Sequence, residues 1–154
     1  MAESTKTRVT RWRFNYLFPA FRRTGGRITY IADDWREVRV ELPLTWATRN
    51  YVGTLFGGSL YAAADGHLMV MLIKLLGPDY VVWDKAATIR FRKPGRTTLY
   101  ARFAIDEQET TAIRELLAHQ PKVDRLYQVD WTDRAGLVHA SVEKTIHIRR
   151  KEAP

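Results

Sequence analysis

The residues best suited to chemistry lie in one stretch, Asn50-Tyr51-Val52-Gly53-Thr54-Leu55-Phe56-Gly57-Gly58-Ser59-Leu60-Tyr61-Ala62-Ala63-Ala64-Asp65. Gly57 and Gly58 stand where a long apolar helical run opens. The first N–H groups of a helix have no partner inside it and sit at the positive end of its dipole. With no side chains at those positions a substrate oxygen can approach the donors, an arrangement that stabilises a developing oxyanion. Asp65 is the only carboxylate in the run that follows. Burial among apolar residues would raise its pKa, and a buried acid is costly unless it is paired or used. Such an acid can take a proton from water attacking a carbonyl. The plainer alternatives are an Asp bonded across a helix pair and glycines that allow close packing.

Spacing constrains how these groups cooperate. Gly57 and Asp65 are eight residues apart, which is about 12 Å of helix at ~1.5 Å per residue. One chain cannot bring both to the same carbon, so a shared site calls for the helix of a neighbouring subunit.

The elements that must hold this stretch follow from periodicity. Thr10 is placed to cap a helix through Trp12, Phe14, Leu17 and Phe21, kinked at Pro19 and stopped at Thr24-Gly25-Gly26. Residues 1–10 are expected to be disordered, and residues 11–150 to form a single domain. Arg27–Ile31 and Arg36–Leu42 read as strands, the second alternating Val38, Val40 and Leu42 with charged residues. The helix from about Ser59 to Leu76, stopped by Gly77-Pro78, is apolar nearly all round and must be buried on most sides.

Strands are expected at Val81–Arg92 and Thr98–Ile105, joined through Lys93-Pro94-Gly95-Arg96. A short amphipathic helix over Glu109–His119 then precedes a hairpin, Tyr127–Trp131 with Val138–Ile148. One antiparallel sheet wrapped around one long buried helix, an α+β fold, accounts for this order. It leaves an edge strand and one side of the helix to be covered by a partner subunit. The strand holding Ala87, Ile89 and Phe91 is the one expected to pair with its copy, giving a homodimer or a dimer of dimers.

Composition removes several classes of function. The chain has no cysteine, which excludes disulfides, thiolate metal sites and cysteine nucleophiles. His67, His119, His139 and His147 show no ligand spacing, and His67 faces away from Asp65 on the helical period. Neither a metal nor another cofactor is therefore expected. Met1–Arg11 has no apolar core of the secretory kind, and Leu68–Leu76, interrupted by Lys74, is too short to span a bilayer. A cytoplasmic protein outside any membrane is the resulting expectation.

The Asn50–Asp65 stretch resembles the signature of hotdog-fold thioesterases of the phenylacetate-degradation type. That pattern is an Asn, a short spacer, His-Gly-Gly, and an Asp seven residues after the second Gly. Asn50, Gly57, Gly58 and Asp65 match it in type and spacing. The flanks Asp34–Val40, Tyr80–Lys85 and Phe91–Arg96 resemble an uncharacterised bacterial branch of that superfamily, and the likeness runs from about Trp12 to Arg150. The resemblance implies a hotdog fold that hydrolyses acyl-CoA thioesters. It assigns water activation or attack to Asp65, the oxyanion N–H to Gly57, and a hold on substrate or water to Asn50. Phe56 stands where the family enzymes often carry His. A phenyl ring forms no hydrogen bond, so Phe56 is expected to line the substrate pocket beside Gly58. Asp84 lies near the position where some relatives use Ser or Thr to place water; it either does the same or pairs with Lys85.

The net charge of +8 suits a phosphorylated small molecule, nucleic acid or acidic lipid, and equally a merely solvated basic surface. Arg90, Arg92, Lys93 and Arg96 bracket Pro94-Gly95, where they could meet the phosphates of CoA or only water. Nucleic acid is not expected, because Trp12, Phe14, Phe18, Phe21 and Trp35 read as packing residues and do not interleave with the basic run. A non-catalytic acyl-CoA or acyl-lipid binding module on the same fold is the alternative function, and Phe56 favours it. A hydratase would need a His-plus-acid dyad that this helix lacks.

Overall fold

The computed structural model describes residues 3–151. In chain order the elements are α1 (Thr5–Leu17), α2 (Pro19–Arg22), β1 (Arg27–Ile31), β2 (Glu37–Leu42), α3 (Gly57–Ala64), α4 (His67–Leu76), β3 (Tyr80–Phe91), β4 (Leu99–Ala104), α5 (Glu107–His119), β5 (Lys122–Thr132) and β6 (Val138–Arg150). The strands form one six-stranded antiparallel sheet in the order β1-β2-β4-β5-β6-β3.

Alternation decides which face of the sheet is apolar. Val38, Val40 and Leu42 of β2, Leu99, Ala101 and Phe103 of β4, and Val142, Ile146 and Ile148 of β6 are all buried. They form one core with Leu60, Ala63, Leu68, Met71 and Leu72 of α3 and α4. The indole N–H of the fully buried Trp131 donates to the Leu60 carbonyl at 2.9 Å, tying β5 to α3. This is the α+β hotdog arrangement, a sheet around a central helix.

Three features depart from the sequence expectations. First, the central helix is two segments. Asp65 is extended (φ −75°, ψ 144°) and Gly66 is left-handed (φ 79°). Nothing lies within 4 Å of where a Cβ on Gly66 would fall, so glycine is required by the sign of φ and not by space. By length and hydropathy alone the 20-residue stretch Gly57–Leu76 could cross a membrane. The break in its middle and the burial of Leu60, Ala63, Ala64, Leu68, Met71 and Leu72 identify it as the core helix.

Second, β3 and β4 follow one another in sequence without pairing. β3 pairs with β6, while β4 pairs with β2 and β5. The Pro94-Gly95 turn thus carries the chain across the sheet, held by the Leu55 N–H to Gly95 carbonyl bond (2.8 Å) and by His139 Nδ1 on the Pro94 carbonyl (3.1 Å). β3 becomes an outermost strand with an unpaired edge 12 residues long among the described residues.

Third, residues 5–10 are helical, which corrects the expectation of a disordered 1–10 segment; Met1 and Ala2 lie outside the described residues. Ser4 caps α1 by accepting from the Thr7 N–H (3.3 Å). Asp33, from the turn after β1, accepts from the Ser4 N–H (2.9 Å) and the Thr7 hydroxyl. Glu3 accepts from the Ile31 N–H (2.8 Å) and from Arg11. Asp33 and Ile31 are some thirty positions from the residues they hold, so local pattern cannot reveal these contacts. Thr10, the cap expected from sequence, sits mid-helix and donates its hydroxyl to the Lys6 carbonyl (3.0 Å). The helix ends at Phe18 because Pro19 disfavours helical backbone before it.

His67, on α4, is buried between the rings of Phe21 and Phe103, with Nε2–H donating to the Ala63 carbonyl at 3.0 Å. Burial lowers its pKa to about 4; the Ala63 bond and the Asp65 charge act the other way, and the Lys144 charge adds to the depression. The unfolded chain takes up this proton near pH 6.5, while the folded chain refuses it until about 4. The contribution is therefore complete above 6.5 and lost as pH falls through that window. Unfolding free energy should drop by about 3 kcal/mol more in the wild type than in His67→Leu between pH 7 and pH 4. Urea titrations of both proteins across that range measure the difference, and equal slopes would refute it.

Candidate active site

The entry to α3 is built by a short loop. Asn50 Oδ1 accepts from the N–H groups of Val52 (3.1 Å) and Thr54 (3.0 Å), and its Nδ2 donates to the Thr54 hydroxyl (2.9 Å). The Phe56 N–H is bonded to the Thr48 carbonyl at 2.8 Å. The Asn50 amide is thus occupied in shaping the loop that delivers Phe56 and Gly57. The cause is local: an Asn side chain satisfies backbone groups two and four residues on, where the chain turns.

Gly57 opens α3 behind Phe56, whose side chain makes no capping bond. Two phenyl rings close over this first turn. A Cβ on Gly57 would meet Phe91 at 2.7 Å, and one on Gly58 would meet Phe56 at 2.4 Å. Both rings are exposed, Phe56 by 55% and Phe91 by 60%. The glycines therefore serve close approach, and the rings they admit give the helix mouth an apolar rim. The basic turn follows directly on Phe91, which brings it to the same mouth. There Arg90, Lys93 and Arg96 are exposed, and Arg92 Nε donates to the Ser141 hydroxyl at 3.0 Å.

Asp65 lies at the other end of α3. Its side chain is 49% exposed, where an apolar helix had suggested burial, because the Asp65–Gly66 break swings it out of the core. The carboxylate accepts from the Lys144 ammonium, which is also 3.1 Å from Asp84. Lys144, only 2% exposed, occupies an inward position of β6 between Val142 and Ile146. Burial works against its charge, but the bond to Asp65 and the nearby Asp84 and Asp65 charges outweigh this and raise its pKa above the ordinary lysine value. A buried ammonium persists only where it is paired in this way.

Asp84, on β3, is thus a partner of Lys144 and not of Lys85, which pairs with Asp124 at 2.5 Å. The second oxygen of Asp84 is buried without a hydrogen-bond partner among the described residues. Sequence reasoning missed Lys144. The available signal was a lone lysine in the apolar phase of an alternating strand, Val142-Glu143-Lys144-Thr145-Ile146.

The structure therefore assembles two groups of residues. Gly57, Gly58, Phe56, Phe91 and the basic turn lie at one end of α3; Asp65, Lys144 and Asp84 lie at the other. Along β3, Asp84 and Phe91 are about 23 Å apart at ~3.3 Å per residue. Among the described residues no three His, Asp or Glu side chains are grouped as metal ligands.

Fold and site together define a hotdog-fold domain with a carboxylate on its central helix. Residues 6–148 match the family described as "Domain of unknown function (DUF4442)", and the chain belongs to that family. No curated protein matches the chain. Among solved structures it is similar to a Pseudomonas aeruginosa protein of unknown function that carries the name "Probable Thioesterase". That match has a TM-score of 0.81 and 19% identity, over 98% of this chain and 99% of the other. A Haemophilus influenzae thioesterase aligns with TM-score 0.69 and 15% identity over 96% and 93%. A Chlorobaculum tepidum protein of unknown function aligns with TM-score 0.74 and 16% identity over 95% and 95%. At these identities the likeness establishes the fold.

Proposed function

We propose that the protein is an acyl-CoA thioesterase of the phenylacetate-degradation type, with each active site shared between two subunits. The observation that carries this reading is the separation of the oxyanion-type glycines from the carboxylate along the unpaired strand β3. Antiparallel pairing of β3 with its copy, centred between Ala87 and Thr88, would set residue 84 of one subunit opposite residue 91 of the other. Asp65, Lys144 and Asp84 of one subunit would then face Gly57 of its partner, twice per dimer. The thioesterase names of the similar structures support the same activity.

In this reading the substrate carbonyl oxygen meets the Gly57 N–H, and Asp65 takes a proton from water as its oxygen bonds to the thioester carbon. The tetrahedral oxyanion collapses, the carbon–sulfur bond breaks, and CoA leaves as a thiolate that regains a proton. Lys144 is a positioning residue that holds Asp65 outside the core. Phe56 favours a second reading, a non-catalytic acyl-CoA binding protein, since its ring covers Gly58 where the related enzymes place a hydrogen-bonding side chain.

The two readings separate on CoA release from a panel of acyl-CoA thioesters, with light scattering on the same sample. Release by a dimer or tetramer is expected. A monomer at micromolar concentration refutes the shared site, and binding without release selects the second reading. The basic turn should act on binding alone. Changing Arg92 and Lys93 to Ala should raise KM by about tenfold with kcat little changed, and added salt should mimic the effect in the wild type. A fall in kcat at constant KM would remove the turn from CoA binding.

A further inference from the structure

A cavity of about 410 Å³ lies between the N-terminal helices and the break in the central helix. Phe14 and Phe18 wall it on one side, Trp35 on the second, and Tyr61, Met69 and Val70 on the third. Asp65 is the one carboxylate in the lining, which holds no lysine or arginine. We infer that this cavity receives the acyl group of the substrate, and that the group is uncharged and apolar, of up to about sixteen carbons if linear or a fused aromatic system if cyclic. The inference rests on the thioesterase reading for its orientation: the thioester carbon stands at Asp65 and the tail runs inward under α1 and α2.

Three observations support it. The walls are fixed independently of any ligand. The Asn15 side chain bonds the Ile28 backbone in both directions (2.9 and 2.8 Å), and Glu3 holds the Ile31 N–H, so α1 is fastened to β1 near both of its ends. The wall aromatics keep free surface: Phe18 is 49% exposed, and Phe14 and Trp35, which pack against the core on one side, are partly exposed. Finally, the size is right. A cavity of roughly 150 Å³ accommodates the six carbons of benzene, so this one has room for about sixteen carbons by the same measure. The chemistry also excludes a class. An acyl group ending in a second carboxylate would bury that charge against phenyl and indole walls with no cation in the lining, which is strongly unfavourable.

Calorimetric binding of ketone analogues of acyl-CoA, with a methylene between carbonyl and sulfur, tests the inference without requiring turnover. Affinity should rise by about fourfold per added methylene, level off near about sixteen carbons, and fall sharply for an ω-carboxy analogue. Val70→Phe, which fills the cavity, should end the rise earlier and cut the decanoyl-to-butyryl affinity ratio by at least about tenfold. Ala62→Leu asks the same question from the other helix segment if Val70→Phe does not fold. An unchanged chain-length profile in the folded variant, or equal affinity for the ω-carboxy analogue, overturns the inference even if thioesters are hydrolysed. A profile shifted by the variant upholds the cavity even if no thioester is hydrolysed, in which case the catalytic reading alone fails.

Discussion

Asp65→Asn is expected to remove nearly all CoA release, by about a thousandfold, while leaving the fold intact. A general base contributes roughly 10²–10⁴ to rate, and Asn keeps the volume of Asp and an oxygen that can still accept from Lys144. The carboxylate is half exposed at the end of α3, so little packing is lost. Melting temperature and affinity for a ketone analogue should therefore stay near wild type, confining the loss to kcat. Asn50→Ala should behave in the opposite way. It deletes the bonds that shape the Asn50–Thr54 turn and should lower stability more than chemistry. If Asp65→Asn retains wild-type rates and melts lower, the carboxylate is structural and the binding-protein reading takes over.

Lys144→Met should be the most destabilising of these single changes, at about 3 kcal/mol, because removing the buried ammonium leaves the partly buried Asp84 carboxylate without its counter-charge. Asp65 and Asp84 would face each other without the ammonium between them, and Asp84 already has one buried oxygen unpaired. For a domain of this size the melting temperature should fall by about 10 °C. Adding Asp84→Asn removes the repelling charge and should restore much of that stability. It should not restore kcat, since Asp65 still lacks the group that holds it in place. Calorimetric melting with CoA-release assays on the wild type and the two variants decides this. A Lys144→Met protein that melts and turns over like the wild type would strip Lys144 of any positioning role.

Local pattern was enough for elements whose formation is local. The strands β1 and β2, the stop at Gly77-Pro78 and the Asp133–Gly136 turn all rest on period-two alternation or turn chemistry within a few residues. Residues that act through distant partners were not legible. The start of α1 depends on Asp33 and Ile31, and the length of β5, which begins at Lys122, depends on pairing with β6 along a polar face. The Gly57–Asp65 spacing identified both ends of the candidate site but not their surroundings.

What the sequence by itself determined is the α+β class, the glycine entry to the central helix and the presence of a carboxylate eight residues further on. These follow from propensity, periodicity and the bond count of a helix end, which are properties of neighbouring residues. The tertiary structure alone decided that the helix breaks at Gly66, that Asp65 turns outward to Lys144, that Asp84 joins them, and that α1 and α2 leave a walled cavity beside the carboxylate. Each of these is settled by a contact between residues far apart in sequence. Whether a charge is buried, paired or exposed depends on what folds against it.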